Sequence, residues 1–116
     1  MMRPDESARV SKVLAGEAVV ANRWKDHGLN RWASERGILR RVCDRSRFRN
    51  PFKIGVDGTR DEVCDMFAAY LETRPDLLEQ INAGHFAGKV LQCYCKPLRC
   101  HGDHLAELAN EGRTAQ

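Results

Sequence analysis

The sequence predicts an α/β fold, a small three-layer domain with a short, mainly parallel sheet flanked by helices. Short apolar, partly β-branched runs recur at residues 18–21, 38–42 and 89–95, the texture of buried strands. Each run is followed by a segment with helical spacing of apolar residues, long enough to cross back over a sheet. Alternation of the two textures is the mark of a parallel sheet covered on both faces.

Residues 4–16 read as the first helix. Pro4 suits the first turn, Asp5 and Glu6 suit its positive end, and Val10, Val13 and Leu14 make a one-sided stripe that Gly16 stops. Residues 18–21 form the first strand. A second helix is expected over 28–36, with Leu29, Trp32 and Ala33 facing inward and Gly37 ending it, and the next strand spans 38–42. From 43 to 58 the breakers Asn50-Pro51, Gly55 and Asp57-Gly58 predict a long loop, and loops of that length in small domains are usually functional. Thr59 and Glu62 form a capping box, and Val63, Met66, Phe67, Tyr70 and Leu71 continue it as a helix that stops before Pro75. A further helical turn is expected at 76–81, a strand at 89–95, and a last helix to about Asn110 closed by Gly112. The whole is one domain over 1–116: an N-terminal helix through 16, an α/β core over 17–111, and a loose tail over 112–116.

The first residues carry no apolar leader, and no apolar run nears the roughly 20 residues of a membrane span, so a cytoplasmic protein without a membrane partner is expected. Five cysteines, an odd number, in a chain of that kind predict reduced thiols or metal ligands rather than disulfides. The charge is uneven. Between Asn22 and Arg49 nine basic residues face three acidic ones, a local +6, which leaves −3 on the remainder of a chain whose net charge is +3. Arg40, Arg41, Arg45, Arg47 and Arg49 are the candidate nucleic-acid contacts within that stretch. The bland alternative is a solvated face whose Arg stems cover apolar surface. Trp24 and Trp32 are expected as core or helix-face anchors, Cys43 and Cys64 as packing residues, and His27 and His85 as loop histidines.

The densest chemistry lies in Cys93-Tyr94-Cys95-Lys96-Pro97-Leu98-Arg99-Cys100-His101-Gly102-Asp103-His104, which holds three of the five cysteines and two of the four histidines. It spans a strand-to-helix turn at the carboxyl end of a predicted parallel strand, where such sheets bind ligands. The loop after Val42 falls on the same edge. One reading is a ligand or catalytic pocket. Cys100 would be the nucleophile at a helix N-terminus, His101 its base or ion-pair partner, and Asp103 an imidazole partner or helix cap. Lys96 and Arg99 would supply positive charge for a phosphate or carboxylate. A second reading is zinc held by Cys93, Cys95, Cys100, His101 and His104, residue types that suit the ion. Against it, Cys93 and Cys95 lie about 6.5–7 Å apart at Cα on an extended strand, and Cys100 and His101 are immediate neighbours. A third reading makes the cysteines small core residues.

These residues, with Asn50-Pro51-Phe52 and Asp57-Gly58-Thr59-Arg60, resemble the signature of the family called domain of unknown function 4326. The similarity runs from about residue 15 to 110 and includes Ala15-Gly16-Glu17-Ala18-Val19-Val20-Ala21-Asn22. It implies a compact α/β domain, a phage or bacterial setting, and an association with nucleic-acid metabolism; it implies no substrate. Asn50, Cys93, Cys95, Cys100, His101 and Asp103 match the motif. The chain departs from it at Phe48-Arg49, where relatives usually carry Trp-Gly, and at Tyr94, where they usually carry Trp.

The leading expectation is a pocket for a phosphate-bearing ligand, a nucleotide or nucleic acid, with Asn50, Cys93, Cys95, Lys96 and Arg99 as binding residues. Two alternatives stand beside it: a zinc-stabilised nucleic-acid accessory module, and a non-enzymatic protein that binds a host factor.

Overall fold

The computed structural model describes residues 2–114. Its elements are α1 (Pro4–Leu14), β1 (Val19–Asn22), α2 (His27–Glu35), β2 (Leu39–Arg41), α3 (Arg60–Glu72), α4 (Pro75–Asn82), β3 (Val90–Cys93) and α5 (His101–Thr114). The three strands form one all-parallel sheet in the order β1-β3-β2. Val19 pairs with Val90 and Asn22 with Cys93 on one side, while Leu39 pairs with Val90 and Arg41 with Gln92 on the other. A three-stranded sheet has one central place, and β3 takes it between β1 and β2. Every residue of β1 and β3 is nonetheless buried, because helices cover both faces.

The layering follows from the period of two along each strand. Val20, Leu91 and Cys93 pack with Phe67, Leu71, Leu77, Ile81 and Leu105 of α3, α4 and α5. Val19, Ala21 and Val90 pack with Val13, Leu29 and Ala33 of α1 and α2. Each fully buried Leu or Phe contributes about 1.5–3 kcal/mol, so the first cluster, with more and larger side chains, carries most of the apolar stabilisation.

Helix ends follow the capping signals. Glu62 N–H donates to Thr59 Oγ1 at 3.2 Å and Thr59 N–H donates to Glu62 Oε1 at 2.9 Å, the reciprocal box read from the sequence. After α1 the chain turns at Gly16 with φ 94°, a value that a residue with a Cβ rarely takes.

Four expectations change. His27, expected in a loop, is the first residue of α2. Leu14 is 66% exposed; it lies one position past Val13, about 100° round the helix and off the buried face. Trp24, expected as a core or helix-face anchor, is also exposed, while Trp32 is half-buried. Helix α5 runs on to Thr114, so 112–114 are helical rather than a loose tail. A glycine costs an established helix only about 1 kcal/mol, which need not stop it. The tail expected at 115–116 lies outside the described residues. Among the described residues no helix is long and apolar enough to cross a membrane.

Candidate functional site

The carboxyl ends of the three strands open onto the turn between Cys93 and His101, and Asn22 fixes that turn. Its buried side-chain amide donates to the carbonyls of Tyr94 at 3.0 Å and Lys96 at 2.6 Å. Its Oδ1 accepts from the backbone N–H groups of Trp24 at 2.7 Å and Lys25 at 3.0 Å. One side chain at the end of β1 thus ties two loops together. Asp26 supports it, accepting from Asn22 N–H at 2.7 Å and from Arg9 at 2.9 and 3.1 Å, with Arg3 as a further donor. Glu6 of α1 accepts from Leu29 N–H at 2.7 Å, in the first turn of α2. Burial opposes ionisation of both carboxyls, but the Arg9 guanidinium and Asn22 N–H lower Asp26, and the Arg3 and Leu29 N–H groups lower Glu6.

Cys93 and Cys100 lie in contact at the floor of the turn, their sulfurs 3.2 Å apart and both buried. The Cys100 thiol hydrogen-bonds to Cys93, and against the cost of burial the N–H groups of Lys96 and Cys95 add to that effect. Together they bring Cys93 down to about 6. Cys100 moves upward because it holds the proton shared with Cys93 and is itself buried. The acidified sulfur is therefore Cys93, not Cys100 as the helix position implies. Contact with Cys93 and burial are the main causes of the upward shift; the Asp103 carboxylate, whose Oδ2 accepts the Cys100 N–H at 3.1 Å at the positive end of α5, adds to them.

The remaining motif residues build the turn. His101 Nε2 is 2.5 Å from the Val42 carbonyl and its ring packs edge-on against Phe67, so Nε2 carries the proton as donor. Burial lowers its pKa, and the Val42 carbonyl only partly opposes this, which keeps the ring neutral. Asp103 pairs with Lys96 at 2.9 Å and forms no bond to the imidazole, so of its two expected roles it takes the cap. Arg99 reaches α3, pairing with Asp61 at 3.1 Å and Asp65 at 2.7 Å. Asn50 closes its own loop, accepting from Phe52 N–H at 3.0 Å, and donates to the Val63 carbonyl at 3.0 Å. Arg49, where relatives usually have glycine, has no positive φ, and Phe48 is buried against Phe86 at a ring distance of 4.8 Å.

These residues nevertheless gather. Asn50, Cys95, Arg99, Cys100 and His101 line one cavity of about 270 Å³, walled by Phe52, Ile54 and Val63 and joined by Cys64 and Arg60. Four of the five cysteines are buried; Cys95 is partly exposed. Burial raises the thiol pKa of both Cys43 and Cys64, as suits packing residues.

The zinc set does not converge. His101 is committed to Val42, and His104 lies 4.0 Å from Glu107 with its ring against Phe67. Among the described residues no group of three or more His, Cys, Asp or Glu side chains is placed to hold a metal ion.

The basic stretch divides. Arg40 donates to the Gly37 and Leu39 carbonyls, Arg47 pairs with Asp76 at 3.3 Å, and Arg49 donates to the Ser46 carbonyl. Arg41 and Arg45 instead line a second cavity with Asp44 and Ser46. Sequence reading missed Asn22, Asp26 and Glu6. The available signal was an Asn closing an apolar strand, where a buried amide must find partners.

The family model described as Domain of unknown function (DUF4326) matches residues 20–111, and the chain belongs to that family. No curated protein and no solved structure matches the chain.

Proposed function

We propose that this DUF4326 domain binds a small phosphate-bearing ligand, of nucleotide class, in the cavity between the 50–54 loop and the cysteine turn. The supporting observation is that Asn50 from one motif and Cys95, Arg99, Cys100 and His101 from the other line the same space. Its volume of about 270 Å³ is at the small end for ligand pockets. Phe52, Ile54 and Val63 offer an apolar wall for a base, and Ile54 is 49% exposed, leaving apolar surface uncovered at the rim. The Arg60 and Arg99 guanidinium groups suit a phosphate. Arg99 is shared with two carboxylates, whereas Arg60 bonds only the Arg99 carbonyl, at 3.2 Å, and is the freer cation.

The reading is one of binding. Asp103 is engaged by Lys96 and by the α5 N-terminus, so Cys100, His101 and Asp103 do not form a nucleophile–base–acid relay. Of the three thiols that line the cavity, Cys95 is the most exposed. A melting-temperature screen of mononucleotides and inorganic phosphate tests this, because a ligand selective for the native state stabilises it by about 2.7 kcal/mol at a hundred times its Kd. A nucleotide should raise the melting temperature of the parent protein, and Arg60→Ala should lose that shift. No shift with any nucleotide overturns the reading, and capture of a host protein at the same residues replaces the small ligand with a macromolecular one.

A further inference from the structure

A second surface on the carboxyl edge of the sheet has a different character. Trp24 is 62% exposed, an unusual place for the largest side chain. It is held in position, not loose: its N–H is bonded to the buried Asn22 side chain, and its ring stacks on Tyr94 with centroids 6.1 Å apart and planes at 27°. The Arg23 guanidinium lies 4.9 Å from the Trp24 ring and 5.8 Å from the Tyr94 ring, and donates to the Tyr94 hydroxyl at 2.9 Å. That hydroxyl donates to Asp44 at 2.5 Å. Asp44 in turn lines the cavity of about 480 Å³ that carries Arg41 and Arg45. Neither arginine side chain forms a hydrogen bond or ion pair among the described residues, although the Arg41 backbone pairs with Gln92 in the sheet. The aromatic pair thus runs directly into a basic cavity, with Asp44 as its one acidic lining residue.

We infer that this surface binds single-stranded nucleic acid, with a base stacked on Trp24 and neighbouring phosphates on Arg41 and Arg45. A fixed, exposed indole beside unpaired guanidinium groups is the combination that sequence-tolerant single-strand binding requires. A duplex keeps its base faces stacked on each other and offers none to Trp24. The basic side chains at the surface match a polyanion, and an acidic apolar peptide would leave the stacked rings without a partner of their own kind.

The test uses a dye-labelled oligo(dT) and its duplex, followed by anisotropy over a salt series. The parent protein should bind the single strand at low salt, prefer it to the duplex, and lose affinity steeply as salt rises. Trp24→Ala should weaken binding about tenfold, in line with the loss of one base stack, and Trp24→Tyr should restore most of it. Replacing Arg41 and Arg45 together by Ala should reduce the log–log salt slope by about 1.4, about 0.7 for each phosphate contact on a single strand. Arg60→Ala, which removes one of the three cations lining the other cavity beside Lys53 and Arg99, should leave this binding unchanged. Absence of binding at low salt, equal binding of the duplex, or full affinity in Trp24→Ala overturns the inference.

Discussion

Cys93 and Cys100, seven positions apart in sequence, meet sulfur to sulfur at 3.2 Å, both buried. Cys93 ends the central strand and Cys100 precedes α5, so the contact closes the turn that shapes the candidate site.

This pair makes stability depend on pH in a defined direction. Cys93 is held at about 6 in the fold, below the free-thiol value of about 8.5. An acid lowered on folding gives a contribution that grows as pH rises from about 6 to about 8.5 and is lost on the way down. Cys100 is raised, so above about 8.5 the unfolded chain loses a proton that the fold retains, and stability should fall again. Denaturant melts from pH 5.5 to 9.5 should show a maximum between these limits. Cys100→Ala, which removes the donor, should flatten the rise; a parent protein with no such maximum contradicts the shared-proton assignment.

Asp26 predicts a second, separate pH effect. Its pKa is lowered against burial by Arg9, Asn22 N–H and Arg3, so its contribution is present above about 4 and is lost as pH falls below that. Asp26→Asn should cost about 2–3 kcal/mol at neutral pH, less than a fully buried pair because Arg3 stays half-exposed. It should also lessen the acid sensitivity between pH 4 and 2. Equal acid slopes in variant and parent would remove Asp26 from this role.

Asn22→Ala should destabilise by about 2 kcal/mol, since it strips partners from the half-buried carbonyls of Tyr94 and Lys96, each costing about 1–3 kcal/mol when left fully buried and unpaired. Because the same amide holds the N–H of Trp24, amide hydrogen exchange should quicken both at 24–25 and through the cysteine turn. Faster exchange at only one of the two loops would show that Asn22 does not couple them.

The fold was legible because its signals are local: the Thr59–Glu62 box, the stripe from Val63 to Leu71, and the undivided apolar runs of β1 and β3. The family motif also led to a real gathering of Asn50, Cys95, Arg99, Cys100 and His101. Roles within that gathering were not legible. A thiol's acidity is set by what reaches it, and at Cys100 the contact with Cys93 and burial, with Asp103 adding to them, raise a thiol that helix position alone predicts to be lowered. Likewise, Trp24 follows an Asn whose side chain holds its N–H outside the core, an effect that no periodicity reveals.

The cavity beside Cys95 is the proposed ligand site. Alkylation of the native protein, mapped cysteine by cysteine with mass spectrometry, tests it most directly. Cys95 should react first, since the other four thiols are buried, and a bound nucleotide should slow Cys95 while leaving their order unchanged. Labelling of Cys95 at the same rate with and without every nucleotide tried, or reaction of Cys43, Cys64, Cys93 or Cys100 ahead of it, would contradict the account.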